Sequence, residues 1–273
     1  GPGPADGRLA DRHEVQLAPS LALWARGLGA GRGEVAAESE SLRVAVIANP
    51  LYRRDDPRLA SSDTRGLPAP LAQASGFSQD WLASLPATGR EARAILSRLP
   101  PERRLEWTGA NASVENVLSG QLESASIVHF AVHGLLDTTH PELSGLALSL
   151  YDPEGRPRDG ILWAHRLREL RLRADLVVLS ACSTALGKEL RGEGLLSLAH
   201  GFLAAGARQV LVTLWDVGDD ATARLMERFY AELLDGHRPP AEALAAAQRA
   251  LAAEPSTAHP YHWAGFVLLG GGW

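Results

Sequence analysis

Two short stretches of the sequence carry residue types that suit a nucleophilic site. HFAVHG places His133 directly before Gly134, and LSACST contains Cys182, the only cysteine of the chain. A thiol with a pKa of about 8.5 is only slightly ionised at neutral pH, and a neighbouring imidazole that takes its proton raises the fraction of reactive thiolate. The glycine after the histidine offers an amide that can approach a substrate oxyanion without a side chain in the way. These residues predict a cysteine nucleophile with His133 as its general base.

Each of these residues also has a structural interpretation. A lone cysteine on an apolar strand is more often a small buried hydrophobic residue than a nucleophile, and a histidine on such a strand is usually a hydrogen-bonded core residue. Order and spacing favour catalysis, because His133 precedes Cys182 by 49 residues and the histidine of caspases precedes the cysteine by about 50 residues. His129 lies on the same predicted strand, roughly 13 Å from His133, so the two cannot share a metal. We interpret His129 as structural.

The elements that must position these residues alternate between apolar strands and helical patterns. Unbroken Val/Leu/Ile runs are typical of a parallel sheet that helices cover on both faces. We therefore predict an α/β fold with a mostly parallel sheet of about six strands and helices on both faces. A β-hairpin insertion, GLALSLYDPEGRPRDGILWAHRL, interrupts the alternation. Ligands bind at the carboxyl ends of such strands, and the strands SIVHFAVHG and DLVVLSAC end at His133 and Cys182.

Composition limits the partners and the compartment. The 273 residues carry a formal charge of −5 without a basic stripe, and one cysteine cannot form an internal disulfide. No apolar run approaches the roughly 18 residues of a membrane span. We expect a cytoplasmic protein with no direct nucleic-acid partner and no membrane segment. Gly1 and Pro2 are typical of a cleaved tag, so we assign residues 1–15 to a tag remnant and leader.

Several other patterns suggest chemistry but lack a required part. The glycines of residues 27–40 precede a strand, whereas a dinucleotide fingerprint follows one. YRRDDPR at residues 52–58 lacks the spaced oxygen ligands of a calcium loop. His259 and His262 have no acidic or thiol partner nearby in sequence. LSACSTALG does not supply the G-x-S-x-G elbow of an α/β-hydrolase. We therefore expect no metal and no cofactor.

Four strings in fixed order resemble the CHAT domain, a caspase-like peptidase domain of the clan that contains caspases and separase. They are SIVHFAVHG, DLVVLSACSTALG, GEGLLSLAHGFLAAGARQVLVTLWDVGDDATARLMERFY and HPYHWAGFVLLG. The resemblance runs from about Gln16 to Trp273. It implies a caspase-type fold, Cys182 as nucleophile and His133 as general base. It also implies an oxyanion hole from the backbone amides of Gly134 and Cys182.

The sequence departs from its relatives in ways that bear on specificity. Only STALGKELRGEG separates Cys182 from the next helix, so we expect no obligatory chain cleavage. Metacaspases carry an acid two residues before the cysteine, where this chain has Ser180. WDVGDD resembles a separase stretch that contributes to a pocket for arginine. We expect one of Asp219 and Asp220 to cap the following helix, and we assign Asp216, with Asp219 and Ser180 as further candidates, to a pocket for a basic side chain.

The resemblance implies an endopeptidase that cuts a protein partner at specific sites through a thioester acyl-enzyme. Domains of this family are associated with bacterial immunity and programmed death, where gasdermin-like pore formers are among their substrates. A regulatory repeat or sensor module outside these residues is a further expected partner. The alternative is a catalytically quiet CHAT domain that uses its cleft for binding, although both dyad residues and Gly134 are present.

Overall fold

A computed structural model describes residues 16–17, 42–59, 82–137, 140, 143–180, 183–185 and 193–270. Its strands are β1 (Gln16–Leu17), β2 (Val44–Ala48), β3 (Arg104–Thr108), β4 (Ile127–Ala131), β5 (His133–Leu136), β6 (Gly145–Ala147), β7 (Ile161–Trp163), β8 (Leu176–Leu179), β9 (Ser183–Ala185), β10 (Gln209–Thr213) and β11 (Phe266–Gly270). Its α-helices are α1 (Pro86–Leu96), α2 (Val114–Val117), α3 (Glu193–Ala204), α4 (Asp219–Tyr230) and α5 (Pro240–Ala253). Within the described ranges no helix is long and apolar enough to cross a membrane.

The main sheet has seven strands in the order β1-β11-β10-β8-β4-β2-β3. Strands β10, β8, β4, β2 and β3 pair in parallel, and β11 joins β10 in antiparallel orientation. The two residues of β1 pair in parallel with β11 at one edge. The predicted mostly parallel sheet of about six strands is confirmed, and β1 adds a short seventh.

Side chains of the central strands alternate between two apolar cores. On β4, Val128 and Phe130 belong to one core, while Ile127 and Ala131 belong to the other. Helices α2 and α3 cover the first core, and α1, α4 and α5 cover the second. Burying one large apolar side chain stabilises the fold by about 1.5–3 kcal/mol, so helices on both faces are needed to cover strands that are apolar on both sides. The sequence predicted this arrangement.

The predicted hairpin insertion lies between β5 and β8. Strands β6 and β7 pair in antiparallel orientation, with Ala147 opposite Ile161. Strand β5 pairs with β6 on one side and with β9 on the other, which gives a second sheet in the order β7-β6-β5-β9. A Cβ at Gly160 would lie 2.6 Å from the carbonyl oxygen of Ser149, so a side chain does not fit there. The hairpin therefore packs closely and supports β5, which begins at His133.

Two helix predictions were wrong in detail. The pattern SVENVLSG predicted a helix, but α2 has only four residues, and soon afterwards Gly120 adopts a φ of 85° that glycine tolerates without strain. Gly218 occupies the N-cap of α4, whereas we expected Asp219 or Asp220 there. The helix begins at Asp219, so both aspartates lie inside its first turn.

Candidate active site

The carboxyl ends of β4 and β8 lie side by side in the main sheet. Phe130 pairs with Leu179 in parallel register. One residue further, the amide of Ser180 donates a hydrogen bond to the carbonyl oxygen of Phe130 at 2.9 Å. The two strands that the sequence analysis selected for chemistry are therefore immediate neighbours.

Beyond these ends both chain segments enter the second sheet and pair again. Gly134 of β5 is in register with Ser183 of β9. Cys182 lies outside the described residues, but it is joined covalently to Ser183, and consecutive Cα atoms are about 3.8 Å apart. The register thus places the residue that follows His133 beside the residue that follows Cys182.

The strand that carries His133 is not continuous, contrary to the sequence prediction. Strand β4 ends at Ala131, and His133 opens β5 in the other sheet. Val132 lies between the two strands and is buried. The amide of His133 donates to the hydroxyl of Tyr52 at 3.1 Å. The change of sheet at Val132 therefore places the histidine at the junction of the two sheets.

The imidazole of His133 is buried and held by a main-chain oxygen. Its Nε2 lies 2.8 Å from the carbonyl oxygen of Ala83, which can only accept a hydrogen bond. The ring proton therefore resides on Nε2, and Nδ1 is the nitrogen with a basic lone pair. The ring of Tyr52 lies against the imidazole with centroids 5.1 Å apart. The tautomer of His133 suits a general base that acts through Nδ1.

Tyr52 connects the histidine to the hairpin. Besides accepting from His133, its hydroxyl donates to the carbonyl oxygen of Ala147 in β6 at 2.8 Å. Burial raises the pKa of Tyr52 well above its usual value of about 10, while the hydrogen bond from the His133 amide lowers it by a smaller amount. The phenol therefore remains protonated and continues to donate to Ala147.

Ser180 lies at the end of β8 and lines a small cavity. The cavity measures about 20 Å³, and Glu91, Val132 and Thr222 are among its other lining residues. The hydroxyl of Ser180 donates to Glu91 Oε1 at 2.8 Å. A volume of this size holds about one water molecule.

Asp216 and Asp219 lie in the segment that links β10 to α4. Asp216 is exposed, and its carbonyl oxygen accepts a hydrogen bond from the Tyr261 hydroxyl at 2.6 Å. Asp219 is the first residue of α4, and its side chain lies outside the described part of the chain. From α4, Thr222 and Ala223 line the cavity beside Ser180. The assignment of Asp216, Asp219 and Ser180 to one substrate pocket stays a prediction.

The residues that support His133 were not predicted from the sequence. Tyr52 and Ala83 precede it by 81 and 50 residues. Tyr52 stands in YRRDDPR, a segment that lacks the ligand pattern of a calcium loop and shows no other signal of a site, and Ala83 contributes a backbone oxygen that any residue type supplies. The periodicity and spacing of residue types do not predict contacts between residues this far apart in the chain.

The charged loop at residues 52–58 is folded around its own ion pairs. Arg53 pairs with Asp55, and Arg58 pairs with Asp56 at 2.7 Å. Each arginine lowers the pKa of its aspartate below the usual range, mainly through the side-chain hydrogen bond. The described residues contain no group of three or more His, Cys, Asp or Glu side chains that could hold a metal.

Comparison with known proteins identifies the family. The family model of the CHAT domain matches residues 2–271. The chain belongs to the CHAT domain family. Tetratricopeptide repeat protein 28 of Mus musculus is 34% identical to this CHAT domain over 191 residues, which are 59% of the chain and 8% of that protein. The Homo sapiens protein of the same name is 29% identical over 264 residues, 84% of the chain and 10% of that protein. The chain thus spans about a tenth of the length of these relatives.

Solved structures show that the CHAT domain has a caspase-like cysteine-proteinase fold. The Arg-specific cysteine proteinase gingipain R superposes with a TM-score of 0.53 at 11% identity, covering 92% of this chain and 51% of that one. A complex of the pro- and mature domains of RgpB from Porphyromonas gingivalis gives a TM-score of 0.52 at 10% identity, covering 90% and 51%. At this identity the likeness concerns the fold.

Proposed function

We propose that this CHAT domain is a cysteine endopeptidase with Cys182 as nucleophile and His133 as general base. The observation that carries the proposal is the register of Gly134 with Ser183. Gly134 follows His133 and Ser183 follows Cys182, so the register brings the neighbours of the two dyad residues together. The bond from His133 Nε2 to the Ala83 carbonyl supports the same assignment, since it makes Nδ1 the proton acceptor.

The proposed reaction proceeds through a thioester. The Cys182 thiol gives its proton to His133 Nδ1, and the thiolate attacks the scissile carbonyl carbon. The carbon–nitrogen bond then breaks, and the protonated imidazole gives its proton to the leaving amine. A water molecule, deprotonated by His133, attacks the thioester. The acid product leaves, and the proton returns from the imidazole to the sulfur of Cys182.

Two further roles complete the proposed site. The amides of Gly134 and Cys182 bind the oxyanion of the tetrahedral intermediate. Asp216, with Asp219 and Ser180 as additional candidates, favours a basic side chain on the residue before the cut. Gingipain R is specific for arginine, which agrees with this preference but is a property of that protein.

The substrate in this proposal is a protein partner that is cut at specific sites. A gasdermin-like effector in bacterial defence or programmed-death signalling fits this role, with the domain acting in the cytoplasm. A repeat or sensor module outside these residues would regulate it. The matched relatives are named for tetratricopeptide repeats and are about ten times longer than this chain, which supports the repeat arrangement.

The test is cleavage of a peptide library, read by mass spectrometry, with wild type and the variants Cys182→Ala and His133→Ala. Each single variant should lose cleavage, and the double variant should be no less active than either, because members of one catalytic unit do not contribute additively. Substantial cleavage by Cys182→Ala would reject the nucleophile. A wild type that binds peptides without cutting any would indicate the interaction module.

A further inference from the structure

A buried polar network lies beneath the two strand ends. Glu91 of α1 is its centre, with a side chain that is only 5% exposed. Glu91 Oε1 accepts a hydrogen bond from Ser180 Oγ at 2.8 Å and lies 3.1 Å from His129 Nε2. His129 Nδ1 lies 3.0 Å from the hydroxyl of Tyr230, the last residue of α4. One carboxylate oxygen thus connects β8 with β4 and, through His129, with α4.

The polar contacts of this network suit one tautomer of His129. Burial raises the pKa of Tyr230 well above its usual value, and the charge of Glu91 raises it further, so the phenol keeps its proton. A buried hydroxyl needs an acceptor, and His129 Nδ1 lies at hydrogen-bond distance from it. The ring proton of His129 is then on Nε2, beside the Glu91 carboxylate, although off the line of a straight hydrogen bond. His129 thus links the phenol to the carboxylate.

The network contacts the two strands at Ser180 and His129, which stand shortly before Cys182 and His133 in the chain. Ser180 stands two residues before Cys182, so their Cα atoms are roughly 7 Å apart at most. His129 stands four residues before His133 in the same chain segment. A buried carboxylate is costly unless its hydrogen bonds are made, and here both contacts go to the strands that lead into the dyad. Any shift of one strand end relative to the other would break one of them.

We propose that Glu91 is a positioning residue, which fixes the separation of the strand ends that carry Cys182 and His133 through Ser180 and His129. This inference rests on the proposed function of the dyad. Glu91 does not act on substrate, because its side chain is only 5% exposed and its Oε1 already accepts from Ser180.

The test compares two substitutions of Glu91 with a control on the same helix. Glu91→Met keeps the length of the side chain and removes the acceptor, whereas Glu91→Gln keeps an oxygen that accepts from both strands. Ile95→Val, one turn further along α1 in the apolar core, trims packing without touching the network. Misplacement of a catalytic group by 1 Å can cost about 100-fold in rate. We therefore expect Glu91→Met to lower kcat per titrated active site by about 10- to 100-fold at little-changed KM.

The other variants separate positioning from general stability. Glu91→Gln should stay closer to wild type than Glu91→Met does, and Ile95→Val should lower the melting temperature while kcat is unchanged. An unchanged kcat in Glu91→Met with a lower melting temperature would overturn the proposal in favour of a structural role. A change in selectivity between basic and neutral peptides at unchanged kcat would overturn it in favour of substrate recognition.

A second readout does not depend on peptide cleavage. Because Cys182 is the only cysteine, the rate of iodoacetamide alkylation reports on that thiol alone. If wild type cuts no peptide, the proposed function fails, yet a slower alkylation of Glu91→Met than of Ile95→Val still supports positioning, and equal rates contradict it. If Glu91→Met does not fold, Tyr230→Phe removes the hydroxyl that orients His129 and leaves Glu91 in place. Tyr230→Phe should lower kcat and the alkylation rate in the same direction but by less. Unchanged rates would contradict a role of this network in positioning the dyad.

Discussion

The imidazole of His133 is held by a main-chain oxygen and by an aromatic ring. The carbonyl oxygen of Ala83 accepts a hydrogen bond from Nε2 at 2.8 Å, and the Tyr52 ring lies against the imidazole. The hydroxyl of Tyr52 also accepts a hydrogen bond from the backbone amide of His133. The position of the general base therefore depends on two loops, one after β2 and one before α1.

Removing the Tyr52 hydroxyl should disturb both stability and activity. In Tyr52→Phe the amide of His133 and the carbonyl of Ala147 both lose their partner, and an unsatisfied buried group costs about 1–3 kcal/mol. We expect the free energy of unfolding in urea to fall by about that amount and kcat to fall with it. Phe202→Leu, in the apolar core on α3, is the control, with lower stability and normal kcat. A fully active Tyr52→Phe would show that this hydroxyl does not position the histidine.

Asp216 should influence which residue is accepted before the cut. Asp216 is exposed in the turn after β10, at the surface that a substrate cation can reach. In a peptide library, Asp216→Ala should lose preference for arginine and lysine, while Asp220→Ala, an exposed aspartate four residues on, should retain it. Cleavage after leucine or methionine by both wild type and Asp216→Ala, with no loss of basic preference, would refute the assignment.

At the scale of elements, the decisive feature is the change of sheet between β4 and β5. The sequence predicted one strand through SIVHFAVHG, because buried strands of both sheets are equally apolar and no glycine or proline marks Val132. The parallel order of the main sheet, the helices on both faces and the hairpin were predictable, since each follows from apolar periodicity or a turn cluster. The partner strand of β5 was not, because its pairing with β9 joins residues that are far apart in the chain.

The hairpin β6–β7 should be needed for the geometry of β5. Gly160→Ala would place a Cβ 2.6 Å from the Ser149 carbonyl, and such overpacking costs about 1–3 kcal/mol. We expect a lower melting temperature and a slower cleavage rate, because β5 pairs with β6 at His133. Ile95→Val, in the apolar core on α1, is the control, with lower stability and normal cleavage. Normal cleavage by a destabilised Gly160→Ala would show that the packing of the hairpin does not determine the position of His133.

At the scale of the whole molecule, the core that α1, α4 and α5 cover is not purely apolar. It contains the side chain of Tyr230, and another buried tyrosine, Tyr52, lies in the core beside the hairpin. Burial raises the pKa of both phenols above about 10, and the Glu91 charge adds to the effect at Tyr230. The free energy of unfolding should therefore depend on pH in the alkaline range.

The sign of that link follows from proton binding. Below about pH 10 both phenols are protonated in the folded and unfolded states, so they contribute no pH dependence. Above it the unfolded chain releases protons that the folded chain keeps, and the free energy of unfolding should fall by up to about 1.4 kcal/mol per pH unit for each tyrosine. The chain has a single lysine, Lys188, so lysine titration adds little.

Urea unfolding between pH 8 and 11 measures this link. Tyr230→Phe should show a shallower loss of stability with rising pH than wild type. Phe229→Leu, a neighbouring buried ring without a titrating group, should shift the whole curve without changing its slope. Equal slopes in Tyr230→Phe and wild type would mean that Tyr230 does not retain its proton in the fold.

The most direct test of the dyad is the pH dependence of Cys182 alkylation by iodoacetamide in wild type, His133→Ala and the exposed-histidine control His200→Ala. If His133 takes the thiol proton, wild type and His200→Ala should react rapidly at neutral pH. His133→Ala should follow an ordinary thiol, with half-maximal rate at about pH 8.5. Superimposable profiles for wild type and His133→Ala would contradict the pairing of Cys182 with His133.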